Sequence, residues 1–222
     1  MRFLFCTSFF IAILLTGCQS AKPKHLVPVT DDCTSLHIIA HHCTSLPTPF
    51  SFPTFEKALL KASLEIREHH LTGLVFIKKM PDAGCRIIFS NEFGMTYFDL
   101  EIGSDTFLVH YCFEPLNKKA LWKIMETDLR LLFATEEASG ETGKFIQKET
   151  NYLVFKNKQE NLTRWDLFSS GGDTLVETRG RSNLADQVVI TFTNYQQGFP
   201  SRIILLNSFV KIKLSLSLLS IN

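Results

Sequence analysis

The sequence predicts an α+β protein built on one strongly curved antiparallel sheet of about ten strands, with two helices. Short apolar runs separated by turn residues occupy most of residues 73–218, which is typical of strands joined in sequence order. Two segments instead repeat their apolar residues at helical spacing. The last run alternates apolar and polar residues, so its apolar face needs a partner.

The first helix is predicted over residues 54–70, directly after Pro53. Its apolar stripe consists of Phe55, Ala58, Leu59, Ala62 and Ile66. Charged residues occupy the opposite side, which predicts a one-sided amphipathic helix packed on a flat surface.

Four strands are expected next, joined by turns such as the one after Pro81. The predicted strands are residues 74–79, 86–90, 95–102 and 106–113. The third places Phe98, Leu100 and Ile102 on one face, and the fourth places Phe107, Val109, Tyr111 and Phe113 on one face. Connections of about four residues make these strands an antiparallel meander.

A second helix is predicted over residues 115–133, with a wide apolar face suited to covering an apolar surface. Residues 136–148 are polar and are expected to form a surface loop. The remaining strands are predicted at residues 152–156, 163–168, 174–178, 187–193, 202–206 and 209–218.

The chain begins with a pattern typical of a secretion signal. Arg2 gives a positive start, and residues 3–15 form a nearly unbroken apolar run that is too short to span a bilayer. Leu15-Thr16-Gly17-Cys18 resembles the lipobox of bacterial lipoproteins. The resemblance implies cleavage after residue 17 and several acyl chains, such as palmitate, on Cys18. With Gln19 next, it implies an outer-membrane lipid anchor, on a side of the membrane that the sequence leaves open.

Residues 18–53 are predicted to form a lipid-anchored, proline-rich tether that precedes a body spanning residues 54–222. Five of the eight prolines lie in the tether, which contains no glycine, so the segment is stiff and extended. A Cys-Thr-Ser-Leu sequence occurs twice in it, beginning at Cys33 and at Cys43. A disulfide between these cysteines is the preferred interpretation in an oxidising compartment. The alternative is a metal site that adds His37, His41 and His42.

The order of elements over residues 54–218 resembles the LolA/LolB-like lipoprotein-localisation family. The likeness is carried by Gly73-Leu74-Val75-Phe76, which is similar to the family's first strand, and by Asn91-Glu92-Phe93-Gly94-Met95-Thr96. The resemblance implies an incomplete barrel whose helices cover the concave face over an apolar cavity. It also implies that Phe93 protrudes and helps to insert cargo into the membrane. A periplasmic carrier protein is the partner that the resemblance implies.

An apolar concave face has two possible structures. It either leaves a cavity for an acyl chain or packs shut against the helices in a dry core. An acyl chain gains roughly 25 cal/mol per Å² of apolar surface buried, so a cavity would bind lipid well. The predicted lining residues are Phe98, Leu100, Ile102, Phe107, Val109, Tyr111, Ile190, Phe192, Leu214 and Leu216.

Several function classes are not expected. A formal net charge of +1 gives no basic surface for nucleic acid. The sequence contains no nucleophile elbow, zinc-protease helix, phosphate-binding loop or dinucleotide fingerprint, so we expect no cofactor, no metal and no enzyme. The function expected is that of an outer-membrane lipoprotein that binds an acyl chain or lipidated cargo and delivers it. The alternative is a non-catalytic scaffold lipoprotein in an envelope complex.

Overall fold

The computed structural model describes residues 22–29, 55–80, 84–103, 105–133, 141–159, 162–182 and 187–222. In these residues one open antiparallel sheet contains thirteen strands, in the spatial order β1-β7-β8-β9-β10-β11-β12-β13-β2-β3-β4-β5-β6. The strands are β1 Leu26–Pro28, β2 Lys57–Ile66, β3 His69–Lys79, β4 Cys85–Ser90, β5 Thr96–Ile102, β6 Phe107–Cys112, β7 Glu141–Gln147, β8 Tyr152–Lys158, β9 Leu162–Phe168, β10 Leu175–Ser182, β11 Gln187–Gln196, β12 Phe199–Asn207 and β13 Ile212–Ile221.

The prediction of a first helix over residues 54–70 is wrong. This segment forms β2, which turns at Arg67 and pairs with β3 along its whole length. Its buried residues follow a period of two, as Ala58, Leu60, Ala62, Leu64 and Ile66. Ala58, Ala62 and Ile66 fit both a helical and a strand period, so the local pattern did not decide between them. The segment forms a strand because it pairs with both β13 and β3, whose facing edges would otherwise lack hydrogen-bond partners.

The second predicted helix is present, and it is the one α-helix of the described residues. A short 3₁₀ turn, Glu114–Leu116, precedes α1, Lys119–Phe133. The fold class therefore differs from the expected two helices and about ten strands, because the described residues contain one helix and thirteen strands. Pro115 lies in the 3₁₀ turn rather than in α1, and Phe133 ends the helix as predicted.

Two further strands lie where none was expected. β7 occupies most of the predicted loop over residues 136–148 and pairs with β8 in register from Glu141 to Gln147. β1 lies inside the predicted tether and pairs with β7 at the edge of the sheet. Polar residues are tolerated in these strands because they lie at the margin of the sheet, away from α1.

The sheet curves around α1. Trp122 packs edge-on against Phe98 of β5, with 5.8 Å between ring centroids. Leu131 of the same helix packs against Gly180 of β10. A methyl group added to Gly180 would lie 2.3 Å from Leu131 Cδ1. Nine residues of helix span about 14 Å, whereas seven strand spacings in a flat sheet span roughly 34 Å. The sheet face that contacts α1, called the inner face here, is therefore concave.

The inner face and α1 share one apolar core. The alternating buried residues of β2, β3, β4, β5, β11, β12 and β13 belong to the same cluster as the buried residues of the helix. Phe89 is fully buried in this core, and its ring packs against those of Tyr97 and Phe98, with 4.9 and 5.4 Å between ring centroids. The opposite face, called the outer face here, carries charged pairs such as Arg86 with Asp99.

We predict that Gly73→Ala strongly destabilises the protein. A methyl group at Gly73 would lie 2.0 Å from the carbonyl oxygen of Ser90, so the backbones of β3 and β4 would have to separate. Chemical denaturation should show a loss of about 3 kcal/mol in the free energy of unfolding. Gly171→Ala is the control, because its methyl group meets nothing closer than 3.3 Å. Equal stability of the two variants would contradict the close approach at Gly73.

Candidate functional site: an exposed aromatic loop beside a helix-covered face

A tight loop joins β4 to β5 and presents the side chain of Phe93. The backbone N–H of Asn91 donates to the carbonyl oxygen of Met95 at 2.9 Å, which closes the loop. The side-chain oxygen of Asn91 accepts from the N–H groups of Phe93 and Met95 at 3.0 and 2.8 Å. Gly94 has a φ of 85°, a conformation that glycine adopts without strain. These bonds hold the loop in one shape.

The ring of Phe93 is 96% exposed, so it does not fold back onto the sheet. Met95, beside it, is 44% exposed. An apolar side chain left in water at the tip of an ordered loop gains free energy when another apolar phase covers it, by about 1.5–3 kcal/mol for a phenylalanine. The loop is therefore suited to contact with an apolar surface.

The predicted cavity-lining residues divide into two groups. Those on β5, β11 and β13 are buried in the core between the sheet and α1, and they are Phe98, Leu100, Ile102, Ile190, Phe192, Leu214 and Leu216. The three on edge strand β6 are less covered, since Phe107 is partly buried and Val109 and Tyr111 are exposed. The structure thus brings seven of them together against the helix.

Val109 and Tyr111 do not share one face of β6, contrary to the predicted alternation. The register between β5 and β6 shifts by one residue, so that Tyr111 lies opposite Asp99 and Val109 lies opposite Leu100. Asp99 bonds Arg86 on the outer face, and Tyr111 lies on that side with it. A bulge of this kind reverses the alternation that a sequence pattern assumes.

Side chains in the C-terminal half of α1 hold this helix to the sheet. Arg130 donates to the carbonyl oxygens of Gly103 and Thr106, at 2.6 and 3.2 Å, in the connection between β5 and β6. Asp128 accepts two bonds of 3.1 Å from the side-chain amide of Asn207, at the end of β12. Asp128 and Asn207 are each only 1% exposed. Two distant parts of the sheet are therefore tied to one helix.

The buried pair of Asp128 and Asn207 is a feature that sequence analysis missed. A signal was present, because Asp128 lies on the apolar stripe of the predicted helix, beside Met125 and Leu129. An aspartate in such a stripe requires a buried hydrogen-bonding partner. The partner lies 79 positions away in the sequence, and only the tertiary structure identifies it.

In the described part of the chain, the pKa values of Cys112, Tyr195 and Arg86 are shifted, and each shift has a local cause. Burial raises the pKa of the Cys112 thiol, and the indole of Trp122 acts in the opposite direction. Burial raises the pKa of Tyr195 to about 12, and its hydroxyl donates to the carbonyl oxygen of Leu175 at 2.7 Å. The hydrogen bond and the charge of Asp99 raise the pKa of Arg86. These groups lie on β6, β11 and β4, so they do not form one acid–base cluster.

Several predicted residues lie outside the part of the chain that the structure describes. These are Cys18, with the signal peptide, and the cysteines Cys33 and Cys43. Within the described ranges, no group of three or more histidine, cysteine or acidic side chains is placed to hold a metal ion. In those same residues, no helix is long and apolar enough to cross a membrane.

Comparison with known proteins gives a likeness of structure without a likeness of sequence. No protein-family description matches the sequence, and no curated protein matches it. A LolA superfamily protein from Nitrosomonas europaea superposes with a TM-score of 0.51 at 9% identity, covering 78% of this chain and 87% of that one. A proposed outer membrane lipoprotein-sorting protein domain from Vibrio parahaemolyticus has a TM-score of 0.41 at 8% identity, covering 77% and 86%. The first of these superpositions shows that the fold is LolA-like.

We predict that Asn207→Ala destabilises the protein more than Asn91→Ala. Both changes remove an amide that accepts two backbone N–H bonds, but only Asn207 also donates to a buried carboxylate. Thermal and chemical denaturation should show a loss of about 2–4 kcal/mol in the free energy of unfolding for Asn207→Ala. For Asn91→Ala we expect about 1 kcal/mol. Equal losses of stability would mean that the hydrogen bonds from Asn207 to Asp128 do not stabilise the folded protein.

Proposed function

We propose that the protein binds an acyl chain or a lipidated cargo against its inner face and delivers it at a membrane surface. The observation that carries this proposal is the 96% exposed ring of Phe93, held on an ordered loop of a LolA-like sheet. The loop leaves the sheet at β4 and β5, whose buried residues form part of the helix-covered core. A lipid-binding face and an apolar contact point thus lie in one structural unit.

The inner face has the chemistry that an acyl chain requires. Its buried side chains are almost all aliphatic or aromatic, and burial of each methylene of a lipid contributes about 0.8 kcal/mol. The contacts of α1 with the sheet described above are made by its side chains, such as those of Trp122 and Arg130. Movement of the helix would therefore leave the strand-to-strand hydrogen bonds intact. In this proposal α1 is the element that makes room for the acyl chain.

Phe93 is proposed to enter the leaflet of the target membrane that faces the protein during delivery. Phenylalanine contributes apolar area without a hydrogen-bonding group to satisfy in the lipid. The turn N–H groups beside it already have partners within the loop. Insertion of the tip therefore exposes few unpaired donors to the lipid.

The proposed location is the outer membrane, through an acyl anchor on Cys18. The residues between Cys18 and β1 would separate the body from the anchor point, and a periplasmic carrier is the proposed source of the cargo. Sorting of lipoproteins to the outer membrane is the delivery role proposed for this chain.

A second candidate function is that of a protein-binding scaffold. Edge strand β6 exposes Leu108, Val109 and Tyr111, and it has no lysine or proline to oppose pairing with another strand. An extended peptide could add to this edge through backbone hydrogen bonds. This function would need no space between α1 and the inner face.

We predict that native mass spectrometry of the chain from residue 19 onward detects one bound phospholipid or fatty acid per molecule. Extraction of the complex identifies the lipid. An apo mass that also fails to take up a fluorescent fatty acid would contradict the lipid-binding proposal and leave the scaffold function. Truncation of the exposed side chains on β6 tests the scaffold function. It should not change the amount or the identity of the bound lipid.

We predict that Phe93→Glu slows transfer of a bound fluorescent fatty acid to vesicles by roughly tenfold or more, because the membrane no longer gains an apolar ring. The free energy of unfolding should change by less than about 0.5 kcal/mol, since the ring contacts solvent. Leu219→Glu is the control, because Leu219 is 55% exposed and lies on β13, three strand positions away from β4. An equal effect of both changes, or a large loss of stability, would exclude a specific role for Phe93.

A further inference from the structure

A second Asn-x-Phe hairpin repeats the architecture of the Phe93 loop. Asn207-Ser208-Phe209 joins β12 to β13, as Asn91-Glu92-Phe93 joins β4 to β5. The side-chain oxygen of Asn207 accepts from the N–H groups of Phe209 and Val210 at 3.1 and 3.2 Å. The side chain of Phe209 is 63% exposed. The same local device therefore presents a phenylalanine on two separate hairpins.

Both hairpins leave the sheet at the same end. The strands alternate in direction, and the connections β12–β13, β2–β3 and β4–β5 all lie at the end where Ile212 pairs with Ile66. The two tips are four strand spacings apart, roughly 19 Å across the sheet. They are also staggered along the strands, since Ser90 pairs with Leu74 rather than with the β2–β3 turn. The line that joins the two tips is therefore inclined to the strands.

The backbone at both tips is already satisfied by the chain itself. In the first hairpin, the N–H groups of Phe93 and Met95 bond the Asn91 side chain, and that of Gly94 bonds the Asn91 carbonyl at 3.1 Å. In the second, the N–H of Ser208 bonds the carbonyl of Gln187 at 3.1 Å. Tips of this kind offer few donors to a protein partner, but they enter a water-poor layer without leaving donors unpaired.

Exposed charged residues lie between the two rings. The turn of β2–β3 contains Arg67 and Glu68, and the N–H of Arg67 approaches the carbonyl of Lys211 in the second hairpin at 3.4 Å. Apolar rings beside exposed cations are typical of protein surfaces that lie in a membrane interface, where the cations meet phosphate groups. Glu68 and Glu92 are also exposed in these connections, so the net positive charge at this end of the sheet is small.

We propose that Phe209 is a second membrane-contact residue and that it enters the same phospholipid surface as Phe93. This inference rests on the proposed function of Phe93, and its occupant is the headgroup and upper acyl region of a bilayer. Two contact points fix the orientation of the sheet on the membrane, which one ring on one loop does not.

The test places a fluorescent reporter at each tip. The variants Phe209→Trp and Phe93→Trp are made in the full chain, together with Leu219→Trp, which lies on neither hairpin and near the end of β13 remote from Phe209. All carry Cys18→Ser, so that no acyl anchor forms. The native tryptophans Trp122 and Trp165 are buried and are present in every variant, so the parent chain measures their contribution, including any change at Trp122 when α1 moves. Each variant is mixed with phosphatidylethanolamine–phosphatidylglycerol vesicles, either plain or brominated on the acyl chains near the headgroup.

The proposal expects loss of emission on brominated vesicles for Phe209→Trp and Phe93→Trp, with Leu219→Trp matching the parent chain. Quenching of Phe93→Trp alone would overturn the proposal and leave the proposed function intact. Equal quenching of Leu219→Trp would overturn it as non-specific adsorption. A blue shift of Phe209→Trp that grows with protein concentration in the absence of vesicles would assign this tip to contact with a second copy of the chain. Absence of quenching at both tips, with lipid still found by mass spectrometry, would overturn membrane contact without touching lipid binding.

Discussion

The packing of one helix across a long antiparallel sheet is the constraint on which the rest of the structure depends. An antiparallel sheet with one apolar face must cover that face, and α1 is the helix available to cover it in the described residues. A helix of fifteen residues is about 22 Å long, far less than the width of the sheet. The sheet therefore curves until β5 and β10 both reach the helix. Curvature follows from the need to bury apolar area with a short helix.

Polar contacts give this apolar packing its register. Asp128 and Arg130 lie two residues apart on α1, and their side chains reach β12 and the β5–β6 connection respectively. Burial of Asp128 is tolerated because Asn207 donates to it. Asn207 also accepts from the backbone of the hairpin that carries Phe209. One buried amide thus joins the covering helix to an exposed tip of the sheet, so the position of α1 and the shape of that tip depend on each other.

The sequence predicted the meander of β4, β5 and β6 well, because turn residues mark both ends of each strand and the apolar residues of β5 alternate. It failed at β2, where small and branched apolar residues fit two periods at once. It also failed at β7, whose residues are too polar to indicate a strand, and at Tyr111, where a one-residue register shift changes the face. Turn residues located the loop that carries Phe93, and the family resemblance singled out its side chain, whereas the exposure of the ring was open until the loop geometry was known.

The sequence by itself determined the antiparallel class of the sheet, the position of α1 and the location of the Phe93 loop. These features depend on residues that are near one another in the chain, so local periodicity and turn chemistry are enough to specify them. Only the tertiary structure decided that β2 is a strand, that α1 joins distant strands, and that Asp128 meets Asn207. Each of these depends on partners far away in the sequence, whose hydrogen bonds and buried area outweigh local preference.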